Sequence, residues 1–131
     1  MMNDIIKKFN DITLEFMKQT ETITGTSYII QFKIMISLNS IMAIDMYIEN
    51  ILPYKRYIYN KDERFFINMK INESYMKYFS DILKIKEIFK ELDKETKNNI
   101  WEYIQALTIL AEEKYNYLCK GNAPNTREFL N

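Results

Sequence analysis

Apolar residues recur at helical spacing along almost the whole chain, and only two glycines and two prolines interrupt them. This periodicity constrains the fold most strongly. Residues three and four apart share one helix face, and a stripe at that spacing is buried by packing helix on helix. In the first segment Ile5, Phe9, Ile12 and Phe16 form one stripe, with Ile6, Thr13 and Met17 beside it. Asn3 or Asp4 suits its start, because a short side-chain acceptor satisfies the orphan amides there. The pattern fades over Thr20–Thr26, where alternate threonines and Gly25 predict a loop.

Tyr28–Leu38 carries two periods at once. Ile30, Phe32, Ile34, Ile36 and Leu38 alternate with Gln31, Lys33, Met35 and Ser37, as in a strand, yet Tyr28, Phe32 and Met35, with Ile30, Ile34 and Leu38, also satisfy a helix. A lone strand finds no partner elsewhere in the chain, which favours the helix. Asn39-Ser40 then reads as a cap for a further helix through Ile41, Ile44, Ile48 and Ile51. That helix stops near Leu52, since the residue before Pro53 is pushed out of helical geometry. Pro53 suits the first turn of a short helix over Tyr54–Tyr59.

Asn60–Phe66 predicts a turn, a cap and a short helix ending in a paired aromatic plug. After a connector around Asn68–Asn72, Ser74–Leu92 places Tyr75, Phe79, Ile82, Ile85 or Lys86, and Phe89 along one side. Asp93 opens the last long helix, Lys94–Leu118, with Ile100, Ile104, Leu107, Ala111 and Leu118 on one stripe and Trp101 and Tyr115 flanking it. Gly121 fits a C-terminal cap. The expectation is an all-α fold: a single compact domain of five to six helices over residues 1–121, with a frayed tail over 122–131.

What the chain lacks narrows its chemistry. With no His and one Cys it has no Cys/His zinc set, no His-ligated haem and no Ser–His or Cys–His nucleophile pair. Two glycines cannot build a phosphate-cradling loop, and no acidic loop has calcium-binding spacing. Asp62-Glu63 and Glu112-Glu113 are adjacent on their helices, so their carboxylates point about 100° apart and read as solvated surface charge. No catalytic residue, cofactor or metal site is expected, and the chain reads as a non-enzyme. A single Cys forms no internal disulfide, and Cys119 reads as a small apolar residue near a helix end. The start of the chain lacks an apolar run of signal-peptide length. The longest uncharged stretch of the most apolar region, Ile34–Ile44, is 11 residues and too short to span a bilayer. The expected location is intracellular. Asn72-Glu73-Ser74 matches a glycosylation sequon, but Asn72 reads better as a helix cap.

Lys+Arg and Asp+Glu balance at 18 each, so no basic excess drives counterion release from nucleic acid. One stretch stands out locally. Tyr54, Lys55, Arg56, Tyr57, Tyr59, Lys61 and Arg64 interleave cations with tyrosines, the mixture that holds phosphates and stacks bases. The same residues also suit a tyrosine face packed inward with solvated Lys and Arg heads. A second run, Lys84–Lys97, has five lysines largely cancelled by Glu87, Glu91, Asp93 and Glu95. The ten tyrosines and eight methionines supply broad and adaptable contact surface, or simply a core. Abundant Ile, Lys, Asn and Tyr with no Val and three Arg is the bias of AT-rich coding.

Two segments carry a resemblance. Tyr54–Phe66, with its Lys61-Asp62-Glu63-Arg64-Phe65-Phe66 end, resembles the x-x-I-x-x-K-D-E-x-F-F segment of small uncharacterised helical proteins of nucleocytoplasmic large DNA viruses. Asn99–Ala111, containing Ile100-Trp101-Glu102-Tyr103, is similar to their I-W-x-Y-L-Q-x-L helix. Asn39 matches a mid-chain helix start, although those proteins usually continue with Pro and this chain has Ser40. The likeness spans roughly residues 5–118. It implies an intracellular viral helical protein in host cytoplasm, viral factory or virion, and brings no activity or site residue. Asp62, Phe65, Phe66, Trp101 and Tyr103 read as packing and capping residues.

The functional expectation is therefore a non-enzymatic interaction or structural protein. It would bind a protein partner, or itself, through Tyr/Met-rich helical faces. The alternative is a nucleic-acid-associated factor in viral transcription or genome packaging, contacting phosphates through Tyr54, Lys55, Arg56, Tyr57, Lys61 and Arg64.

Overall fold

The computed structural model describes residues 2–25, 27–70 and 80–119. Among them the chain forms seven α-helices and no strand: α1 (Met2–Thr24), α2 (Ile29–Leu38), α3 (Met42–Asn50), α4 (Lys55–Tyr59), α5 (Arg64–Asn68), α6 (Ser80–Ile88) and α7 (Lys94–Cys119). Short 3-10 turns at Leu52–Tyr54 and Phe89–Glu91 join the ends of two of them. The all-α expectation holds, with seven helices in place of five or six. Two of the seven are the five-residue helices that flank the Asn60–Glu63 turn. The predicted cap at Gly121, the tail over 122–131, Asn72, Tyr75 and Phe79 lie outside the described residues.

The long helices α1 and α7 pair antiparallel: Glu15 and Phe16 meet Tyr103, while Thr22 and Thr96 line the same crevice further along. The α1 stripe buries Ile5, Ile6, Phe9, Phe16 and Met17. From α7, Ile100, Trp101, Ile104, Leu107 and Ala111 face the core, and Lys114 joins them. Leu118, predicted on that stripe, is exposed, because the stripe has run past the elements that cover it. Trp101 is not a flanking residue but part of the core, packed among Phe66 at 5.4 Å, Phe89 at 5.6 Å and Phe65 at 6.2 Å between ring centroids. Phe66 and Phe89 themselves approach to 4.7 Å. The two segments that carry the sequence resemblance thus pack on one another, and Phe65, Phe66 and Trp101 are packing residues.

The threonine-rich end of α1 stays helical where a loop is expected. Thr20 Oγ1 donates to Met17 O, Thr22 Oγ1 to Gln19 O and Thr24 Oγ1 to Thr20 O, so each hydroxyl is satisfied inside the helix. Thr20 is also fully buried, and packing overrides the weak helix preference of β-branched residues. Gly25 ends the helix at φ +72°, a conformation in which an added Cβ is strained. At the other end α1 already runs from Met2, so Asn3 and Asp4 lie in its first turn and not before it.

The Tyr28–Leu38 ambiguity resolves as helix. Asn39 closes α2 in extended geometry, and its Oδ1 accepts the Ile41 amide at 3.3 Å to start α3. Asn10 of α1 ties down this corner by donating from Nδ2 to Ser40 O at 2.9 Å. On α3, Tyr47 reaches across the core, sharing a 2.8 Å hydrogen bond with Thr108 Oγ1 of α7. Asp45 of α3 pairs with the buried Lys114 of α7. No single helix among the described residues is long and apolar enough to cross a membrane; α2 and α3 reach that length only together, bent by 107°.

The aromatic cluster gives a direct check. Trp101 is the only tryptophan, so its emission should be blue-shifted in the folded protein and move red in a single step with denaturant. Phe66→Ala, which opens a cavity beside it, should cost about 3–5 kcal/mol in the same titration. A red, readily quenched native emission would contradict this packing.

Candidate functional site

The basic-aromatic stretch wraps around the corner between α4 and α5. Pro53 sits in the 3-10 turn that leads into α4, after the fully buried Ile51 and Leu52. At the far end of α4, Asp62 N donates to Tyr57 O and Lys61 N to Ile58 O, the paired bonds of a Schellman cap. Lys61 occupies the left-handed position of this cap at φ +52°, where glycine is the usual residue. From α7, Gln105 Nε2 donates to the same Ile58 O at 3.1 Å and reaches a further α4 carbonyl, Tyr59 O, at 3.4 Å.

The stretch holds its own charges. Lys55 Nζ lies 2.7 Å from Glu112 Oε2 of α7, with both side chains largely shielded from solvent. Tyr59 OH donates to the other oxygen of that carboxylate at 2.9 Å. Burial, then the Glu112 hydrogen bond and charge, push the Tyr59 phenol well above its ordinary range. Arg64 donates from Nε and Nη2 to Asp62 Oδ2, at 2.8 and 2.6 Å, and its guanidinium carbon lies 5.4 Å from the Tyr57 ring centroid. Those bonds hold the Asp62 carboxyl below its usual value. Tyr54 OH donates to Asn68 O and accepts from Lys70 N, bracing the exit from α5.

Of the six residues expected to contact a partner or nucleic acid, Tyr54, Lys55 and Arg64 are thus engaged within the chain. Tyr57 is half-buried under Arg64, and Arg56 and Lys61 face solvent. Glu112 was invisible as a partner because it stands 57 positions from Lys55. Adjacent Glu112 and Glu113 do point apart, but only Glu113 is solvated surface charge. Asp62 caps and salts Arg64, and Glu63 pairs with Lys97 at 3.2 Å, so neither is a bare surface acid. Two of the five lysines of the second basic run are likewise engaged: Lys97 also lies over the Phe89 ring, and Lys84 over Tyr28. Among the described residues no group of three or more His, Cys, Asp or Glu comes together to hold a metal.

A different surface is left unsatisfied. α2 is apolar on all sides, and a helix buries one stripe against a core. Phe32 and Met35 take the inner face, leaving Ile30 72%, Ile34 56% and Leu38 83% exposed, with Ile41 following at 41%. A groove of about 580 Å³ runs beside them, lined by Tyr28, Gln31, Ile34, Met35, Leu38 and Met42. The signal was present in the sequence as the double stripe of Tyr28–Leu38. Among the described residues Met17, Met35, Met46, Met69 and Tyr47 are core residues while Tyr59 and Tyr117 are exposed, and the bare face of α2 is made of Ile and Leu.

Three outcomes follow from these local geometries. Lys61→Gly should raise stability by about 0.5–1 kcal/mol in denaturant titration, since glycine adopts the left-handed position without steric cost. Tyr47, fully buried, is also pushed above the ordinary phenol value of about 10, first by burial. The folded chain therefore keeps protons on Tyr47 and Tyr59 that the unfolded chain gives up. Stability should hold up to about pH 10 and fall beyond it. Glu112→Gln should lower the Tyr59 titration while leaving it above the ordinary value, read by spectrophotometric titration against Tyr59→Phe. An unchanged Tyr59 titration would remove Glu112 from that site.

No family model matches the chain, and neither a curated protein nor a solved structure matches it.

Proposed function

We propose that this chain is a non-enzymatic interaction protein that works through the exposed apolar face of α2. The observation that carries the reading is the row Ile30, Ile34, Leu38 and Ile41. Together these residues expose on the order of 500 Å², within the roughly 300–600 Å² of the largest apolar patch on a typical monomer, which is often functional. The placement of the patch supports the reading as much as its size. Ile30, Ile34 and Leu38 share one face of α2 with Ile41 in the turn that follows, whereas Ile67, Ile109, Tyr117 and Leu118 are exposed elsewhere on other helices. The viral setting implied by Tyr54–Phe66 and Asn99–Ala111 belongs to the same proposal. A small helical adaptor of virion or viral factory is the form it takes.

The nucleic-acid alternative rests on Arg56 and Lys61, which are exposed in a corner whose other two cations are already paired. Two solvated cations in a neutral chain give weak counterion release.

A photoreactive residue placed at position 34, and separately at position 56, discriminates the two in cells that make the protein. Protein adducts from position 34, lost with Leu38→Glu, are expected. Absence of protein adducts at position 34, with nucleic-acid adducts at position 56, would overturn the proposal.

A further inference from the structure

The crevice between α1 and α7 has a chemistry of its own, separate from the α2 face. Its larger part, about 490 Å³, is lined by Ile12, Gln19, Asn99, Glu102, Tyr103 and Ala106. A smaller part of about 130 Å³ continues past the same Gln19, Asn99 and Tyr103 to Thr22 and Thr96. The larger volume falls within the roughly 300–1,000 Å³ of small-molecule sites, which combine an apolar lining with a few placed polar groups.

The charge of this crevice is one-sided. Neither part is lined by Lys or Arg. Glu102 is the one ionised group that lines it, and Glu15 accepts the hydroxyl of the lining Tyr103 at 3.3 Å. Other carboxylates of the fold are answered by a cation: Glu112 by Lys55, Glu63 by Lys97 and Asp45 by Lys114. Glu15 and Glu102 have no ion pair among the described residues. Burial, then the charge and hydrogen bond of Glu15 and the charge of Glu102, raise the Tyr103 phenol above its ordinary value. Both carboxylates therefore act on one place. The Tyr103 ring is braced there by Phe16, with centroids 5.2 Å apart. A neutral phenol ring beside two unanswered carboxylates attracts a cation.

We propose that this crevice binds an aliphatic amine in its ammonium form. The ammonium group sits between Glu102 and the Tyr103 ring and donates to the side-chain oxygens of Gln19 and Asn99. Those two amides have no side-chain hydrogen bond among the described residues. The alkyl chain lies along Ile12 and Ala106, which supply the apolar lining. An anion would meet Glu102 with no cation to answer it, and a neutral ligand would leave that charge unused. A bare metal ion fits less well, because no three metal-ligating side chains converge among the described residues. The proposal stands apart from the reading of α2 as a contact surface.

Magnetic-resonance titration of the full isotope-labelled chain at neutral pH reads the result through the side-chain amide signals of Gln19 and Asn99. The probes are hexylamine, hexanol and hexanoate, which share a chain length and differ in charge. Hexylamine, an ammonium at this pH, should shift both signals saturably, with a Kd of about a millimolar for so small a ligand. Hexanol and hexanoate should bind at least about tenfold more weakly. Glu102→Gln should weaken hexylamine about three- to tenfold, as should Tyr103→Leu, with helical circular dichroism unchanged. Glu113→Gln, which removes an exposed carboxylate elsewhere on α7, should leave binding as it is.

The absence of a saturable shift at Gln19 and Asn99 would overturn the proposal. Equal binding of hexylamine and hexanol would overturn it too, by removing the charge from recognition. So would a Glu113→Gln effect as large as that of Glu102→Gln, which would mark diffuse surface charge. Shifts centred on Ile29–Leu38 instead would place the probe in the apolar groove of α2 and equally remove the α1–α7 site.

Discussion

The fold depends on what α7 can bury. It is the longest described helix, and it meets α1 along most of its length, α3 through Tyr47 and Asp45, α4 through Glu112 and Gln105, and the α5–α6 region through Trp101. Trp101, Gln105, Thr108 and Glu112, spaced i, i+4, i+7 and i+11, serve α3, α4 and the α5–α6 region from one face of the helix, while Tyr103 meets α1 from another. Its apolar side supplies the transfer of aromatic and aliphatic surface out of water, the main favourable term in folding. Its polar side supplies groups that satisfy buried hydroxyls and carbonyls that would otherwise be costly to leave unpaired. Tyr47 shows the two together: a ring 5.3 Å from Phe9 between centroids, edge to face, and a hydroxyl answered by Thr108.

α2 is the counterpart. It has no surplus polar side, and its core-facing stripe is short. Once Phe32 and Met35 are buried, with Ile29 and Ile36 packed beside them, Ile30, Ile34 and Leu38 are left exposed. The same burial that makes α7 a hub leaves this side of α2 bare. The basic-aromatic corner of α4 and α5 works in the opposite sense. Its charges are answered by Glu112 and Asp62, and its rings brace turns, so most of what looks like a binding surface in one dimension is spent on holding a corner in three.

Much of the fold was legible in the sequence because helical stripes are local. The α1 and α7 stripes, the stop before Pro53 and the Asp93 start of α7, where Asp93 Oδ1 accepts the Thr96 amide at 2.7 Å, read directly from spacing, whereas the α3 stripe is buried only at Ile44 and Ile51: Ile41 is exposed, and Met46 and Tyr47 fill the core beside them. The extension of α1 through Thr24 did not, because it depends on the burial of Thr20 and on hydroxyls turning back to carbonyls. Nor did the Lys55–Glu112–Tyr59 contact, which joins residues more than fifty positions apart. The α2 face was half legible. Its two apolar stripes were plain, but which of them the core would take could be learned only from the packing of its neighbours.

The central claim, that α2 presents a bare apolar face while α7 holds the core, is tested most directly by hydroxyl-radical labelling of the dilute chain, read residue by residue. Heavy labelling of Ile30, Ile34 and Leu38 with little labelling of Ile100, Trp101 and Ile104 is expected. Protection of Ile34 and Leu38 together with strong labelling of Trp101 would contradict it.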